Sequence, residues 1–233
     1  MNAPLIDKPE AGAAPVVPGR FITFEGGEGA GKSTQARHLR AHLEQAGVRV
    51  IVTREPGGSP RAEALRAALL AGKAAGLGAF GEAVLFGAAR IDHIDTLIRP
   101  ALASGAWVIC DRFADSTRAY QGAAGKAKPE LIAALERVVV GPVRPDLTFL
   151  LDIEPSLGLA RARARAGDAA ADRFESEDLS FHQALRRAFL DIATREPGRM
   201  KVVNAAWPEH EIADEIWALT RRAFPTPLGI PAS

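Results

Sequence analysis

Short apolar segments alternate with longer amphipathic segments along most of the chain. The apolar segments predict five strands, at residues 21–25, 48–53, 107–111, 147–152 and 201–204. Helical spacing of apolar residues predicts helices over about residues 32–46, 60–71, 80–104, 129–140, 155–166, 178–194 and 209–223. Strands that are apolar throughout and alternate with helices indicate a parallel sheet covered on both faces. The predicted fold class is therefore α/β, with three layers and a five-stranded parallel sheet.

A glycine-rich segment follows the first predicted strand, and in such sheets ligands bind at the carboxyl ends of the strands. Residues 26–34, GGEGAGKST, match G-x-x-x-x-G-K-S/T and precede a predicted helix. The glycines let backbone N–H groups point at phosphate oxygens, and the helix adds its positive end. Lys32 would reach the β- and γ-phosphates and Ser33 would hold Mg²⁺. A glycine-rich turn that only caps a helix is the alternative. The predicted ATP phosphate site comprises Gly26, Gly27, Gly29, Ala30, Gly31, Lys32, Ser33 and Thr34.

Arginine and carboxylate residues also follow other predicted strands. Arg54 follows the second strand, Arg112 follows Asp111 at the end of the third, and Asp152 ends the fourth. Several arginines converging on a phosphate site suggest two phosphate groups, one from a nucleotide and one from an acceptor. Four other arginines are interpreted as solvated helix faces: Arg61, Arg66, Arg137 and Arg222.

Two further patterns suggest nucleotide chemistry. Arg161, Arg163 and Arg165 precede the segment GDAAA at 167–171, which suggests an arginine-rich lid that closes over transferring phosphates. A solvated basic helix face is the alternative. Phe86 and Arg90 are four residues apart and share a helix face, so a base could stack on the ring and bond to the guanidinium. The alternative is a core phenylalanine beside a surface arginine.

Composition restricts the class of protein without identifying it. The chain has 233 residues, a net charge of +1, 47% hydrophobic and 24% charged residues, which excludes global disorder and a fibrous chain. The charge balance gives no reason to expect a nucleic-acid or membrane partner. The single cysteine, Cys110, excludes an intramolecular disulfide and favours the cytoplasm. The five histidines have no metal-ligand spacing and are interpreted as solvated or structural: His38, His42, His93, His182 and His210.

The domain organisation is predicted from the ends of the chain. Residues 1–19 are rich in Ala, Pro and Gly and are predicted to be a disordered extension. Residues 224–233 are predicted to be a flexible tail. A single domain over residues 20–223 lies between them.

Taken together, these segments resemble the thymidylate kinase family of nucleoside monophosphate kinases. The resemblance covers about residues 20–222, and its most specific part combines REPGG with DRF-x-x-S-x-x-A-Y-Q-G. Glu28 in the phosphate loop and the lid arginines resemble the bacterial subtype. The matching segments are FEGGEGAGKST (24–34), TREPGG (53–58), LFGAAR (85–90), VICDRFADSTRAYQG (108–122), RPDLTFLLDI (144–153) and RARARAGDAAADRFE (161–175).

The resemblance implies a P-loop NTPase fold with a small lid at about residues 155–177. It implies transfer of the γ-phosphoryl group of ATP to dTMP, giving ADP and dTDP in dTTP synthesis. Mg²⁺ and a homodimer are implied as well, and the apolar helix at 80–98 is the candidate interface. The implied catalytic residues are Lys32, Glu28, Arg112 and the lid residues Arg161, Arg165 and Arg173.

The resemblance also implies roles at the acceptor and the metal. Arg54 and Arg112 would hold the acceptor phosphate, Phe86 would stack on thymine, and Arg90 would bond to the base edge. Tyr120 would lie under the 2′ position and disfavour a ribose. Ser33 and Asp111 would hold or approach Mg²⁺. The remaining implied dTMP-binding residues are Ser116, Thr117, Gln121 and Glu175.

Two departures from the family pattern and three rival functions accompany this prediction. Gly87 stands where a bulkier residue is common, which suggests a looser base pocket, and Ala169, Ala170 and Ala171 form a small insertion in the lid. The rivals are a kinase of the same fold with another acceptor, a nucleotide-dependent switch, and a degenerate binding module. Acceptor-dependent consumption of ATP distinguishes the kinase from the switch.

Overall fold

The computed structural model describes residues 19–166 and 174–225. Within these ranges five strands form one parallel sheet, in the order β2-β3-β1-β4-β5. The predicted strands are confirmed, although the second begins two residues later than expected. The strands are Phe21–Glu25 (β1), Val50–Arg54 (β2), Trp107–Asp111 (β3), Leu147–Asp152 (β4) and Met200–Asn204 (β5).

The helices follow the predicted order, and the central one is interrupted. Its predicted span at 80–104 divides into α3, a π-helical turn at Ile94–Ile98 and α4, which carries Pro100 in its first turn. The sequence analysis missed α5 and the π-helical segment Arg118–Ala124 that follows it. The helices are Lys32–Gln45 (α1), Pro60–Leu70 (α2), Gly78–His93 (α3), Arg99–Ala103 (α4), Ala114–Thr117 (α5), Pro129–Val140 (α6), Pro155–Ala166 (α7), Leu179–Arg195 (α8) and Glu209–Ala223 (α9).

Both faces of the sheet are covered, which explains why its strands are apolar throughout. Alternate residues of a strand point to opposite faces. Ile22 and Phe24 of the central strand pack towards α1 and α9, whereas Phe21 packs with Cys110 and other residues on the opposite face. Cys110 is fully buried. The three layers leave the carboxyl ends of the strands as the open edge.

Within the described ranges, no single helix is long and apolar enough to cross a bilayer. One bent pair, Pro60–Leu70 with Ala75–Ala103, meets the length and composition criteria together.

The folded domain extends to Phe224, which the sequence analysis placed in the flexible tail. Its ring is 8% exposed and lies 5.0 Å from the ring of Trp107 in an edge-to-face arrangement. The guanidinium of Arg20 lies 5.3 Å from the same ring. Phe224 therefore closes the core beneath β3, and the predicted tail boundary is wrong at this residue. Residues 1–18 and 226–233 lie outside the described residues.

Gly87 serves helix packing. A Cβ atom at this position would lie 3.0 Å from Val139 Cγ2 and 3.5 Å from Leu135 Cδ1, both on α6. The missing side chain therefore lets α3 and α6 approach each other. The expectation that Gly87 loosens the base pocket is wrong, because this position faces α6.

We predict that Phe224→Ala lowers the free energy of unfolding by about 3 kcal/mol, because it removes a buried ring and leaves a cavity against Trp107. Urea unfolding at equilibrium measures the change. The control Val202→Ala alters a half-exposed strand residue and should change stability by less than about 1 kcal/mol. Equal effects of the two substitutions would contradict this account of Phe224.

Candidate functional site

The phosphate loop joins the central strand β1 to α1, and Lys32 is the first residue of that helix. Lys32 Nζ donates hydrogen bonds to the carbonyls of Gly26, at 3.2 Å, and Gly27, at 2.8 Å. Burial, together with the positive charge of Arg112, lowers the pKa of Lys32 to about 8. An anionic phosphate would be a stronger acceptor for this ammonium group than the two carbonyls.

Two side-chain oxygen atoms meet at the mouth of the phosphate loop. Ser33 Oγ donates a short hydrogen bond to Asp111 Oδ2. The parallel pairing of β1 with β3 brings them together, because it places Phe24 beside Asp111. Among the described residues, no group of three or more His, Cys, Asp or Glu side chains could hold a metal ion. A hydroxyl and a carboxylate nevertheless suit Mg²⁺, which commonly completes its shell with phosphate oxygens and water.

Arg112 links the end of β3 to the phosphate loop. Its Nη2 donates to Glu28 Oε1 at 2.7 Å, and its Nη1 donates to the Gly26 carbonyl at 3.0 Å. Its backbone has φ of 70°, which is uncommon for a residue other than glycine and marks a constrained position. Burial alone would lower the pKa of Arg112, but the Glu28 carboxylate holds it above its ordinary value. The guanidinium therefore remains charged at the centre of the site.

Glu28 lies between Arg112 and Tyr120. Tyr120 donates its hydroxyl to Glu28 Oε1 at 2.6 Å, and its ring lies 5.0 Å from the Arg112 guanidinium carbon. Burial would raise the pKa of Glu28, but the charges of Arg112 and Lys32 lower it to about 2. Glu28 is therefore ionised at neutral pH and balances two cations.

Glu25, the last residue of β1, is a functional candidate that the sequence analysis missed. Its Oε1 accepts the backbone N–H of Phe113 at 2.8 Å and of Ser116 at 3.2 Å, and its Oε2 accepts the Ser116 hydroxyl at 2.6 Å. These bonds hold the backbone just after Arg112. Burial and the neighbouring Asp115 raise the pKa of Glu25 to about 7. Its place at the carboxyl end of β1, which matches those of Asp111 and Asp152 on their strands, was the available sequence signal.

The strand ends enclose a cavity of about 360 Å³ beside the phosphate loop. Most predicted site residues line it, while Gly26, Gly27 and Ala30 lie outside its lining. The predicted residues that line the cavity are Glu28, Gly29, Gly31, Lys32, Ser33, Thr34, Arg54, Phe86, Arg90, Asp111, Arg112, Ser116, Thr117, Tyr120, Gln121, Arg165 and Glu175. The lining residues that the sequence analysis did not propose are Arg37, Glu55, Pro56, Arg66, Leu70, Phe113 and Phe174.

One end of the cavity is basic. Arg54 Nη2 donates to both oxygens of Glu63, at 3.1 and 3.2 Å, which fixes its side chain beside the loop that follows β2. Arg66 Nη1 donates to the carbonyl of Pro56 at 2.7 Å. The interpretation of Arg66 as a solvated helix face is wrong, because the turn after β2 folds back onto α2 and places Arg66 in the cavity lining.

The other end of the cavity is aromatic and holds a buried arginine. Phe174 lies 6.2 Å from Phe86 and 5.3 Å from Tyr120, measured between ring centroids. Arg90 is 5% exposed and bonds to Thr117 Oγ1 through both Nη atoms at 3.2 Å. The alternative of a core phenylalanine beside a surface arginine is wrong, because Arg90 is buried and both residues line the cavity.

The predicted lid residues occupy different places. Arg165 lines the cavity, and its Nη2 lies 3.8 Å from Glu175 Oε1. Arg161 lies outside the cavity lining and donates from Nη1 to the Ala205 carbonyl, just after β5, at 2.7 Å. Arg173 and the alanine insertion at 169–171 lie outside the described residues.

A phosphate loop on a parallel sheet, next to an arginine-lined acceptor cavity, defines a P-loop phosphotransferase of the nucleoside monophosphate kinase class. The sequence profile of the thymidylate kinase family matches residues 24–216. The chain belongs to the thymidylate kinase family, and it phosphorylates dTMP.

Individual relatives agree with this assignment. The thymidylate kinase of Rhodopseudomonas palustris (strain TIE-1) is 58% identical over 205 residues, which cover 87% of this chain and 89% of the relative. The thymidylate kinase of Bradyrhizobium diazoefficiens is 53% identical over 213 residues, covering 91% and 93% of the two chains. The crystal structure of thymidylate kinase from Ehrlichia chaffeensis has a TM-score of 0.69, 35% identity and coverage of 88% of this chain and 99% of its own.

The family resolves the alternatives raised from the sequence. The resemblance to thymidylate kinase, the P-loop fold and the kinase activity are confirmed. A kinase with a different acceptor, a nucleotide-dependent switch and a degenerate binding module are therefore set aside.

Glu25→Gln should change how stability depends on pH. The pKa of Glu25 is about 7 in the folded chain, above its ordinary value, so its contribution to stability is present below pH 4.5 and is lost as the pH rises through 7. Glutamine does not titrate. Between pH 5 and 8 we expect the variant to gain on the order of 2 kcal/mol relative to the unmodified chain. Urea unfolding at both pH values measures this difference.

The exposed residue Glu44, paired with Arg40, provides the control substitution Glu44→Gln. This control should follow the pH dependence of the unmodified chain. Parallel stability curves for the unmodified chain and Glu25→Gln would show that Glu25 titrates at its ordinary pKa.

Proposed function

We propose that ATP binds the phosphate loop, that dTMP binds the cavity, and that Arg112 lies between the donor and acceptor phosphates. One observation carries this proposal: Arg112 contacts the Gly26 carbonyl of the phosphate loop, pairs with Glu28 and lines the acceptor cavity. A single guanidinium can then compensate negative charge on both substrates during transfer.

On the donor side, the loop and Lys32 would bind the β- and γ-phosphates of ATP. The N-terminus of α1 contributes partial positive charge, and Lys32, in the first turn of that helix, lines the site. Its two carbonyl contacts hold the ammonium group near the position of a bound phosphate.

On the acceptor side, the basic end of the cavity would hold the phosphate of dTMP. Arg54 and Arg66 lie there with Arg112, and all three line the cavity. Arg54 is half-exposed and pairs with Glu63, so its guanidinium is available to a phosphate that enters the cavity.

The thymine base would occupy the aromatic end. Phe86 provides a ring for stacking, while Arg90, Thr117 and Gln121 provide polar atoms for the base edge. Tyr120, whose hydroxyl is held by Glu28, would lie under the sugar and leave little room for a 2′-hydroxyl. This arrangement matches a deoxynucleoside monophosphate of about the cavity's size.

The residues present also fit Mg²⁺. Ser33 Oγ and Asp111 Oδ2 are adjacent oxygen atoms at the mouth of the phosphate loop and would hold the ion directly or through water. When bound, Mg²⁺ supplies positive charge to the transferring phosphates. Glu175 would lie near the acceptor.

For this transfer the protein mainly has to align the two substrates and compensate their negative charge. An oxygen of the dTMP phosphate attacks the γ-phosphorus of ATP, and the bond from that phosphorus to the bridging oxygen breaks, leaving ADP with the bonding electrons. The acceptor is already anionic, so a side-chain base is not required. Lys32, Arg112 and the lid arginines Arg161, Arg165 and Arg173 would compensate the charge, while lid closure keeps water out.

A homodimer is proposed from an apolar face on α3. Phe80, Val84 and Ile91 recur at helical spacing and are 38%, 42% and 41% exposed. Three exposed large apolar side chains on one helix face are typical of a protein interface. The cytoplasmic location and the expected lack of nucleic-acid and membrane partners stay predictions from the sequence.

Replacing Arg112 should weaken acceptor binding more than donor binding. In Arg112→Ala we expect kcat to fall and the KM for dTMP to rise about 100-fold, more than the KM for ATP rises, because the lost bonds to the acceptor are charge-assisted while the donor side loses only the contacts with Gly26 and Glu28. Steady-state kinetics with each substrate varied measures both constants. A larger rise in the KM for ATP would contradict the acceptor role.

Two further variants make this comparison specific. Lys32→Ala should abolish phosphoryl transfer while the chain remains folded, because the lost ammonium group binds the phosphates of ATP, the donor substrate. Arg61→Ala, which alters an 85% exposed arginine paired with Asp92, should retain the kinetics of the unmodified chain.

Sedimentation should show a dimer for the unmodified chain and a monomer for Val84→Asp at micromolar concentration. The new carboxylate would be buried in the interface without a partner, which costs several kcal/mol. Leu179→Asp alters a half-exposed leucine at the start of α8 and should remain dimeric. A monomeric unmodified chain would refute the proposed interface.

A further inference from the structure

A buried polar group holds the Nε edge of Arg90, and one of its members, Glu55, also lines the cavity. Glu55 Oε2 accepts the Nε–H of Arg90 at 2.6 Å, and Glu55 Oε1 lies 3.1 Å from His93 Nδ1. His93 Nε2 lies 2.8 Å from the hydroxyl of Thr53. Glu55 and Arg90 are each 5% exposed and His93 is fully buried, so solvent does not compete for these bonds.

The donors and acceptors of this group form a chain of hydrogen bonds that converges on Glu55. A carboxylate only accepts hydrogen bonds, so Glu55 requires N–H groups from both Arg90 and His93. With its proton on Nδ1, a neutral His93 can accept the Thr53 hydroxyl at Nε2. The Glu55 carboxylate is thereby oriented from both sides, by His93 at Oε1 and by the Nε–H of Arg90 at Oε2.

Gly58 makes room for this chain. A Cβ atom at Gly58 would lie 2.3 Å from His93 Nε2 and 2.5 Å from Thr53 Oγ1, and its φ is +86°. Only glycine fits where these two side chains meet beside the backbone. The segment TREPGG therefore supplies Thr53, Glu55 and Gly58 to the support of Arg90, in addition to presenting Arg54 to the cavity.

The opposite edge of the Arg90 guanidinium faces residues of the cavity lining. Nη2 donates to the Phe113 carbonyl at 3.1 Å, and both Nη atoms reach Thr117 Oγ1 at 3.2 Å. The guanidinium plane is thus held from two edges. Because Glu55 accepts at Nε, the Nη groups are left to the cavity side.

We propose that Glu55, oriented by His93, is a positioning residue that fixes the plane of Arg90 and thereby selects pyrimidines with a carbonyl oxygen at C4 over those with an amino group there. This inference rests on the proposed contact of Arg90 with the base. Arginine donates hydrogen bonds and accepts none, so it can bond to O4 of thymine but opposes the N4 amino group of cytosine. Selection is sharp only if the guanidinium cannot rotate away.

Glu55→Gln tests the proposal with almost no change of volume. A glutamine can accept from Arg90 or from His93, but its amide NH₂ then faces the other donor. We expect the KM for dTMP to rise about tenfold and the KM for ATP to change less than about twofold. The kcat/KM for dCMP relative to dTMP should rise about tenfold, since a loosened guanidinium opposes the amino group less.

Two substitutions of His93 separate positioning from a merely structural role. In His93→Asn the amide nitrogen can replace Nδ1 as the donor to Glu55, so the dCMP to dTMP ratio should stay within about threefold of the unmodified value. His93→Leu removes the donor and should shift the ratio as Glu55→Gln does. A matched control is Ser59→Ala, because Ser59 Oγ donates to Asp92 Oδ2 at 2.6 Å and joins the same loop to α3 without touching Arg90.

The outcomes distinguish this inference from the proposed site. If the unmodified chain prefers dTMP over dCMP, and a folded Glu55→Gln variant keeps that preference, the positioning role is refuted. If Glu55→Gln does not fold, as judged by its melting curve, the His93 pair decides, and equal selectivity in both variants refutes it. If the unmodified chain shows no preference, the proposed contact of Arg90 with the base fails first.

Discussion

The ion pair between Arg112 and Glu28 holds the two halves of the site together. Arg112 begins the loop after β3, and Glu28 lies in the phosphate loop after β1, so one contact joins the two loops. Removing such a pair from water is costly unless further bonds satisfy both groups. The Gly26 carbonyl accepts a further bond from Arg112, and the Tyr120 hydroxyl donates one to Glu28. Glu25 accepts the backbone N–H of Phe113 and thereby holds the backbone that follows Arg112.

Two carboxylates three residues apart illustrate how partners decide charge. Glu25 accepts only neutral donors and lies near Asp115, so burial raises its pKa to about 7. Glu28 is also buried, yet the charges of Arg112 and Lys32 lower its pKa to about 2. The same residue type thus provides a positioning group at the end of β1 and a permanent anion in the phosphate loop.

Two largely buried ion pairs fix the directions of arginine side chains in the cavity lining. Arg112 and Arg90, which both line the cavity, are each held by a carboxylate from a different loop. A pair of this kind contributes less to stability than an apolar contact of similar size, but it fixes the direction of a guanidinium. Recognition of a phosphate or a base requires hydrogen-bond donors that point in fixed directions, because a ligand can then bind without reordering the site.

The sequence determined the features that depend on neighbouring residues. Apolar runs marked the strands of the sheet, and the phosphate loop lies within one strand-to-helix connection, so its motif was readable directly. Only the tertiary structure determined which groups Glu25, Glu55 and Arg66 contact. It also determined which elements Gly87 and Phe224 pack against. Glu25 meets Ser116 across 91 residues and Glu55 meets Arg90 across 35. Hydrophobic periodicity records which positions are buried, whereas the partner of a buried polar group is set by which strands pair and which loops meet at the sheet edge.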